Sequence, residues 1–333
     1  MKTAFVTGST GLLGNNLVRE LIKKGFQVKA LARSKNKAKQ QFDGLDVEIV
    51  EGDLTDIQGF KDSLIGCDVL FHTAAFFRDN YKGGDHWREL HQINVEGTRI
   101  LLETAYQAGI RRVIHTSSIA VLNGERGELI DETMLRDEKS ADNYYRSKIL
   151  ADQEVINFLN YYPDMFISMV LPGWMFGPRD IGPTSSGEFV LNFLEEKLPG
   201  IVPGSFSIVD ARDVALIQIA ALEYGRRGER YLAAGRHMTM AQLFPLMSEI
   251  SGIKAPTKKI PWVLLKGIAF LNEMYGSITK KQVLLSKATV KLMATEEDRT
   301  HFNHEKTLKE LGITFRPIEE TLTSVIEWYR KND

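Results

Sequence analysis

The chain has 333 residues, enough for about two domains; 43% are hydrophobic and 26% charged, an ordinary balance for a soluble globular protein. Its 42 basic and 43 acidic residues nearly cancel, so no global field favours nucleic acid or an acidic membrane. A single cysteine, Cys67, excludes an intrachain disulfide and a cysteine-built metal site, and no apolar run approaches the length of a membrane span.

The opening MKTAFVTGST reaches a glycine turn almost at once, which leaves no room for a signal-peptide apolar region and predicts a cytoplasmic protein. Thr3–Thr7 reads as a strand, followed by that turn and a helical run, GNNLVRELIKKG, closed by Gly25. Further strands are expected at Val28–Ala32, Val47–Val50, Asp68–Thr73, Arg112–Thr116 and Phe166–Leu171, with helices near 86–108 and at Tyr144–Tyr161. Near-continuous apolar strands alternating with helices predict an α/β fold, a Rossmann-type doubly wound parallel sheet covered on both faces. After Leu171 the pattern changes: residues 172–205 carry five prolines and read as irregular structure. A strand-like FSIV and the helix DARDVALIQIAALEYG are expected to return to the first domain, and from Thr239 onward the chain reads as mostly helical. The division expected is a dinucleotide-binding domain at 1–172 and 206–236, and a smaller, mostly helical C-terminal substrate-binding region at 173–205 and 237–333.

The first turn, TGSTGLLG, puts Gly8, Gly11 and Gly14 between a strand and a helix. One glycine permits a tight turn, one lets a pyrophosphate reach the backbone, and one lets the helix pack on the strand. The helix N-terminus then offers free N–H groups and a positive dipole end. About 20 residues on, where an acid would bind a ribose 2′-hydroxyl, the chain reads ALARSKNKAK, with Arg33, Ser34, Lys35 and Lys37 and no acid. Arg33 can pair a 2′-phosphate in bidentate fashion, and Ser34 can add a donor. The expected cofactor is therefore NADP(H), against the bland reading of a solvated basic loop.

The segment YYRSK holds Tyr144 and Lys148, the one tyrosine with a lysine four places on. On a helix that spacing puts both on one face. A tyrosine titrates near ~10 unless an ammonium stabilises its phenolate. A carbonyl reductase needs such a proton donor and a second hydroxyl to hold the carbonyl oxygen. HTSSIAVLNG, after the fifth strand, supplies candidates in Thr116, Ser117 and Ser118.

TGSTGLLG, GDLTD (52–56), NVEGT (94–98), VIHTSSIA (113–120), YYRSK and LPGWMFGP (171–178) occur in this order, an arrangement that resembles the extended short-chain dehydrogenases/reductases, most nearly the dihydroflavonol-4-reductase-like group. The resemblance spans roughly residues 1–235. It implies a triad of Ser118, Tyr144 and Lys148, with Tyr144 as acid/base, Lys148 on the nicotinamide ribose and Ser118 positioning the carbonyl. Together with the glycine turn and the basic loop, it outlines an expected cofactor groove of Thr7, Gly8, Gly11, Leu12, Leu13, Gly14, Arg33, Ser34, Lys37, Asp53, Leu54, Thr73, Ala74, Ala75, Asn94, Pro172 and Gly173. Asp53 and Leu54 would touch adenine, Asn94 would support the active-site backbone, and Pro172 and Gly173 would approach the nicotinamide. Bland readings stand beside these: Asp53 as a turn cap, Ala74–Ala75 as sheet packing and Asn94 as a locally bonded helix residue. His72 and His115 read as packed residues rather than metal ligands.

Nucleotide-sugar dehydratases of this scaffold carry Thr-Asp-Glu where this chain has Ser117-Ser118-Ile119, and sugar epimerases usually carry an acid after the second strand, where this chain has Arg33. The reaction expected is therefore NADP(H)-dependent reduction of a small apolar ketone or aldehyde. The alternatives are an NAD-dependent nucleotide-sugar epimerase and a non-catalytic nucleotide-sensing regulator. The substrate pocket is expected from 76–85, 119–142, 174–206 and the C-terminal helices. Phe76, Phe77, Trp87, Trp174, Met175 and Phe176 would supply apolar surface, unless they pack between domains. Lys82, Arg88, Arg136 and Arg179 fix no anionic group. The partner expected is a small carbonyl or alcohol, with no nucleic acid and no membrane, and the chain reads as a monomer or homodimer.

Overall fold

The computed structural model of the chain describes residues 2–77, 86–279 and 286–332. Seven strands form a parallel sheet: β1 (Thr3–Thr7), β2 (Gln27–Ala32), β3 (Glu48–Glu51), β4 (Val69–His72), β5 (Arg112–Thr116), β6 (Phe166–Pro172) and β9 (Arg230–Ala233), in the order β3-β2-β1-β4-β5-β6-β9. Alternate residues on each strand serve opposite faces. Ala4, Val6, Val28, Ala30, Phe71 and Val170 belong to one core, against the helices Leu12–Lys23 and Ala211–Tyr224. Phe5, Leu31, Leu70, Val113 and Ile167 belong to a second, on the side of Gly97–Gln107 and Asn143–Tyr161. Burial on both faces explains why these strands read as nearly unbroken apolar runs.

The order reverses between β1 and β4, so the crevice at their C-terminal ends is the place where such a sheet takes a ligand. The glycine turn leaves β1 there, and Thr73–Ala75 leaves β4 beside it.

A second sheet is built from β7 (Trp174–Phe176), β8 (Ser205–Asp210) and β10 (Arg236–Thr239), in the order β10-β8-β7. The FSIV segment, read from the sequence as returning to the first domain, thus pairs in this smaller sheet. The free edge of β6 is already taken by Arg230–Ala233. The following helix, Ala211–Tyr224, does pack on the large sheet, through Val214, Ile217 and Ala221. The third core joins β7, β8 and β10 to the helices Ser185–Leu194, Met240–Ser251 and Ile318–Asn332.

Two local features aim side chains at the crevice. Asp142 caps the helix Asn143–Tyr161, accepting the Tyr145 N–H at 3.0 Å, and so fixes Tyr144 in the first turn. The stretch from Trp87 to Gln107 is one helix with a π turn at His91–Glu96. Such turns displace a side chain from its regular place, and this one carries Asn94.

Candidate active site

The three glycines of the first turn have separable roles. Gly8 has φ 65°, and a Cβ there would lie 2.7 Å from the Ala74 nitrogen; both the left-handed backbone and the crowding require glycine. A Cβ on Gly14 would run into the Gly8 carbonyl, so helix and turn pack without a side chain between them. Gly11 is exposed and would place a Cβ 3.4 Å from the Gly8 oxygen, an ordinary contact, so its openness serves approach from outside. No side chain caps the helix at Gly11. The Leu12 and Leu13 side chains are buried, so these residues offer an incoming anion only backbone N–H groups at a positive helix end. That donor set fits a dinucleotide diphosphate.

Thr7 is buried and structural. Its hydroxyl lies 2.8 Å from His72 Nδ1 and accepts the N–H groups of Thr73 and Ala74 at 3.2 Å each. The Thr73 hydroxyl donates back to the Thr7 carbonyl at 2.6 Å. These bonds lock the ends of β1 and β4 together as one wall of the crevice, with Ala75 exposed beyond it.

At the far end of β2, Ser34 caps the helix Lys35–Gln41 and accepts the Lys37 N–H at 3.5 Å. The Arg33 side chain is 86% exposed, its Nε 4.0 Å from Asp53 Oδ2, and Lys37 is exposed one turn on. Asp53 Oδ1 accepts both the N–H and the hydroxyl of Thr55 at 2.8 Å, the turn cap of the bland reading. Leu54 is buried against Gly97. Sequence reasoning missed Glu51, whose carboxylate accepts the Lys35 N–H at 3.4 Å. It sets an acid at the foot of the basic loop, from β3 rather than β2.

Ser118 accepts the Ala120 N–H at 3.1 Å, and its hydroxyl is near enough to Tyr144 to draw the phenol pKa down. The neighbouring hydroxyls are placed otherwise. Thr116 Oγ1 accepts from Gln218 Nε2 at 2.7 Å, and the Ser117 oxygen is buried without a hydrogen bond. Phe77 meets the Tyr144 ring edge-on, centroids 4.8 Å apart. Lys148 is 4% exposed and donates to the Thr116 carbonyl at 2.7 Å. Asn94 holds the loop after β4 from both sides, accepting the Phe76 N–H at 2.7 Å and donating to its carbonyl at 3.0 Å. It also donates to the Ser147 hydroxyl at 3.0 Å, which in turn donates to the Tyr144 carbonyl at 2.7 Å. Ser147, inside YYRSK, was not singled out from the sequence; its place between a buried asparagine and the helix start became visible only in the fold.

The electrostatics run against the lowering expected for Tyr144. Burial pushes its pKa up to about 12; the Ser118 hydroxyl pulls it down and Asp142 pushes it up. Burial also lowers Lys148 to about 8, with Asp152 drawing it back up. The ammonium is spent on the Thr116 carbonyl, so desolvation decides the tyrosine. Behind Lys148, burial holds His72 down at about 3 and His115 well below its ordinary value, so both rings are neutral packing groups. Asp152 lies 3.7 Å from His115 Nε2 and 3.2 Å from Arg230 Nε.

On the side expected to take the substrate, Pro172 is buried, and a Cβ on Gly173 would lie 2.6 Å from the Ser207 carbonyl, so Gly173 serves the junction of the two sheets. Trp174 packs against Phe176, Phe189 and Phe206 with centroids 4.7, 5.3 and 4.9 Å away. Phe176, expected to line the pocket, is 1% exposed and forms core instead, because β7 turns it into the Phe189–Phe244 stack. Trp174 and Met175 remain partly open, and Phe76 neighbours His86. Trp87 lies under the Arg146 guanidinium at 4.4 Å. Arg136 is buried, paired with both Glu296 oxygens at 3.1 and 2.9 Å and stacked over Tyr145. Arg88 is exposed and Arg179 partly so. Residues 78–85 of the expected pocket, Lys82 included, lie outside the described residues.

The family model for the NAD dependent epimerase/dehydratase family matches residues 4–234. The chain is 32% identical to sterol demethylase protein B of Methylococcus capsulatus, over 99% of this chain and 98% of that one. It is also 32% identical to a putative dihydroflavonol 4-reductase of Synechocystis, over 98% and 94%. Among solved structures, gox2253 superposes with a TM-score of 0.83 at 32% identity, covering 100% of this chain and 99% of that one. With the parallel seven-stranded sheet, the glycine turn at its switch point and these full-length likenesses, the chain belongs to the NAD-dependent epimerase/dehydratase family of extended short-chain dehydrogenases/reductases.

Proposed function

We propose that the protein is an NADP(H)-dependent oxidoreductase that reduces a small apolar ketone or aldehyde, with Ser118, Tyr144 and Lys148 as its catalytic residues. The observation that carries this reading is the convergence of Ser118, Tyr144 and a buried Lys148 bonded to the Thr116 carbonyl, at the crevice where a dinucleotide would meet the glycine turn. The dinucleotide, when bound, supplies hydride to the carbonyl carbon. Tyr144, kept protonated at neutral pH by burial, gives its proton to the carbonyl oxygen, and Ser118 donates a hydrogen bond to the same oxygen. Lys148 reaches the ribose from the Thr116 carbonyl it already holds. The amides of Leu12, Leu13 and Gly14 take the diphosphate, the Gly11 N–H being held by the Gly8 carbonyl at 3.0 Å, and Arg33, Ser34 and Lys37 take the 2′-phosphate. Asn94 acts through the Phe76 backbone and Ser147, as a positioning residue. Phe77, Trp174 and Met175 present the apolar surface that favours an aromatic or alicyclic substrate, and the name of the Synechocystis relative supports a reductase.

The test is NADPH and NADH oxidation by the purified protein with aromatic, alicyclic and aliphatic carbonyls. Turnover with NADPH is the expected result. Tight NADH binding with turnover only on a nucleotide sugar would replace this reading by epimerisation, for which Glu51, beside the basic loop, would then be the acid to examine.

A further inference from the structure

The helix Trp262–Thr279 presents its apolar side outward. Leu265 and Ala269 face inward, fully buried with Ile260 and Val290. On the opposite side Val263 is 83% and Leu271 64% exposed, and Leu264, Phe270, Met274 and Tyr275 are each about half exposed. These six recur at i, i+1, i+7, i+8, i+11 and i+12, which is one continuous stripe on a helix. A surface stripe of this kind marks an interaction site.

Its surroundings say what it meets. Among the described residues from 254 to 291 there are six lysines, Lys254, Lys258, Lys259, Lys266, Lys287 and Lys291, all exposed, and one acid, Glu273; the further acid Glu297 lies at the helix start, bonded to Trp262. Glu273 is itself paired with Lys287 at 3.2 Å, and the same ammonium lies 4.6 Å over the Phe270 ring. The near-zero charge of the whole chain conceals this local excess. We propose that this face docks the protein on an anionic lipid bilayer, the helix lying in the interface with its stripe among the acyl chains and its lysines among the headgroups. A second copy of the chain would bring one basic rim against another, whereas an anionic bilayer complements it. Among the described residues no helix is long and apolar enough to cross a membrane, so the surface rests on the bilayer without spanning it.

The docked helix adjoins the substrate side. Lys259 bridges to Ile201, and Trp262 donates to Glu297 at 3.3 Å, next to the Glu296 that holds Arg136. An apolar carbonyl dissolved in the bilayer would then approach on the side where Val202 packs against both this helix and the Trp174 core. This last step rests on the proposed reductase reading; the docking itself does not.

The experiment is co-sedimentation of the full-length protein with vesicles of phosphatidylcholine alone or mixed with phosphatidylglycerol, without cofactor or substrate. Binding to the mixed vesicles, weakened by salt, is the expected result. Leu264→Glu with Leu271→Glu should abolish it at unchanged melting temperature, and Lys266→Gln should weaken it about fivefold. Failure to bind either vesicle, or binding indifferent to these substitutions, would overturn the proposal. So would a wild-type dimer in ultracentrifugation that the double leucine variant converts to a monomer, because a second copy would then own the face.

Discussion

The glycine-turn end of the large sheet and the region around β7 and β8 are held together by different physics. Around the glycine turn, polar groups are tied to backbone: Thr7 to Thr73 and Ala74, Asn94 to Phe76, Lys148 to Thr116. Around β7 and β8 the contacts are ring against ring, Trp174 with Phe176, Phe189 and Phe206. Hydrogen bonds to backbone fix direction and distance, whereas apolar packing constrains mainly volume and tolerates exchange. On the proposed reading, the first region specifies the reaction and the second the range of substrates.

The largest effect expected from breaking that contrast is at Tyr144. Tyr144→Phe removes the proton donor and should lower kcat by about 10³-fold, while NADPH affinity, measured by fluorescence titration, stays within about twofold. Trp174→Phe, in the packed region, should instead reorder carbonyl preference by about tenfold or less and leave kcat on the best substrate largely intact.

Next come the glycines. Gly14→Ala forces a methyl into the Gly8 carbonyl and should cost about 3 kcal/mol in denaturant unfolding. Gly11→Ala has room for its Cβ, so the fold should survive and the loss should appear in dinucleotide affinity. Equal stability losses at both positions would mean that the turn does not divide its work in this way.

The buried histidines give a pH signature. His72 titrates at about 3 against an ordinary 6.5, and His115 also lies well below. Below about pH 6.5 the unfolded chain takes up protons that the folded rings refuse. Stability is then lost as pH falls, by about 1.4 kcal/mol per pH unit for each ring. Denaturant midpoints at pH 7 and 5.5 check the sign, and His72→Gln should remove part of the loss, the rest staying with His115 and with His237 and His304, which burial also lowers. A comparably small effect is expected at the exposed Arg33, where Arg33→Asp should shift preference from NADPH toward NADH by about tenfold, read as the ratio of kcat/KM values.

The same contrast explains what could be read from the residues alone. The parallel sheet was legible because its strands are buried on both faces and carry uninterrupted apolar runs. The glycine spacing was legible because φ and close packing at Gly8 and Gly14 leave no other residue type. The sequence did not show that FSIV pairs with WMF and RHMT: three- and four-residue strands carry too little periodicity, and the choice turns on which strand occupies the β6 edge. Phe176 was misplaced because composition cannot tell a ring that lines a cavity from one that fills a core. The upward pKa of Tyr144 was equally hidden, since a helical spacing reports that Lys148 is near but not that its ammonium is spent on Thr116 or how dry the crevice is. Glu51 was missed because it reaches the basic loop from β3.

The measurement that bears most directly on the account is a single turnover with NADPH deuterated at the transferable C4 position and the best carbonyl of the panel, for the wild type and Tyr144→Phe. The wild-type product is expected to carry one deuterium on its carbinol carbon, and the variant to form it about 10³-fold more slowly. Unlabelled product, or equal rates for the two proteins, would contradict this mechanism.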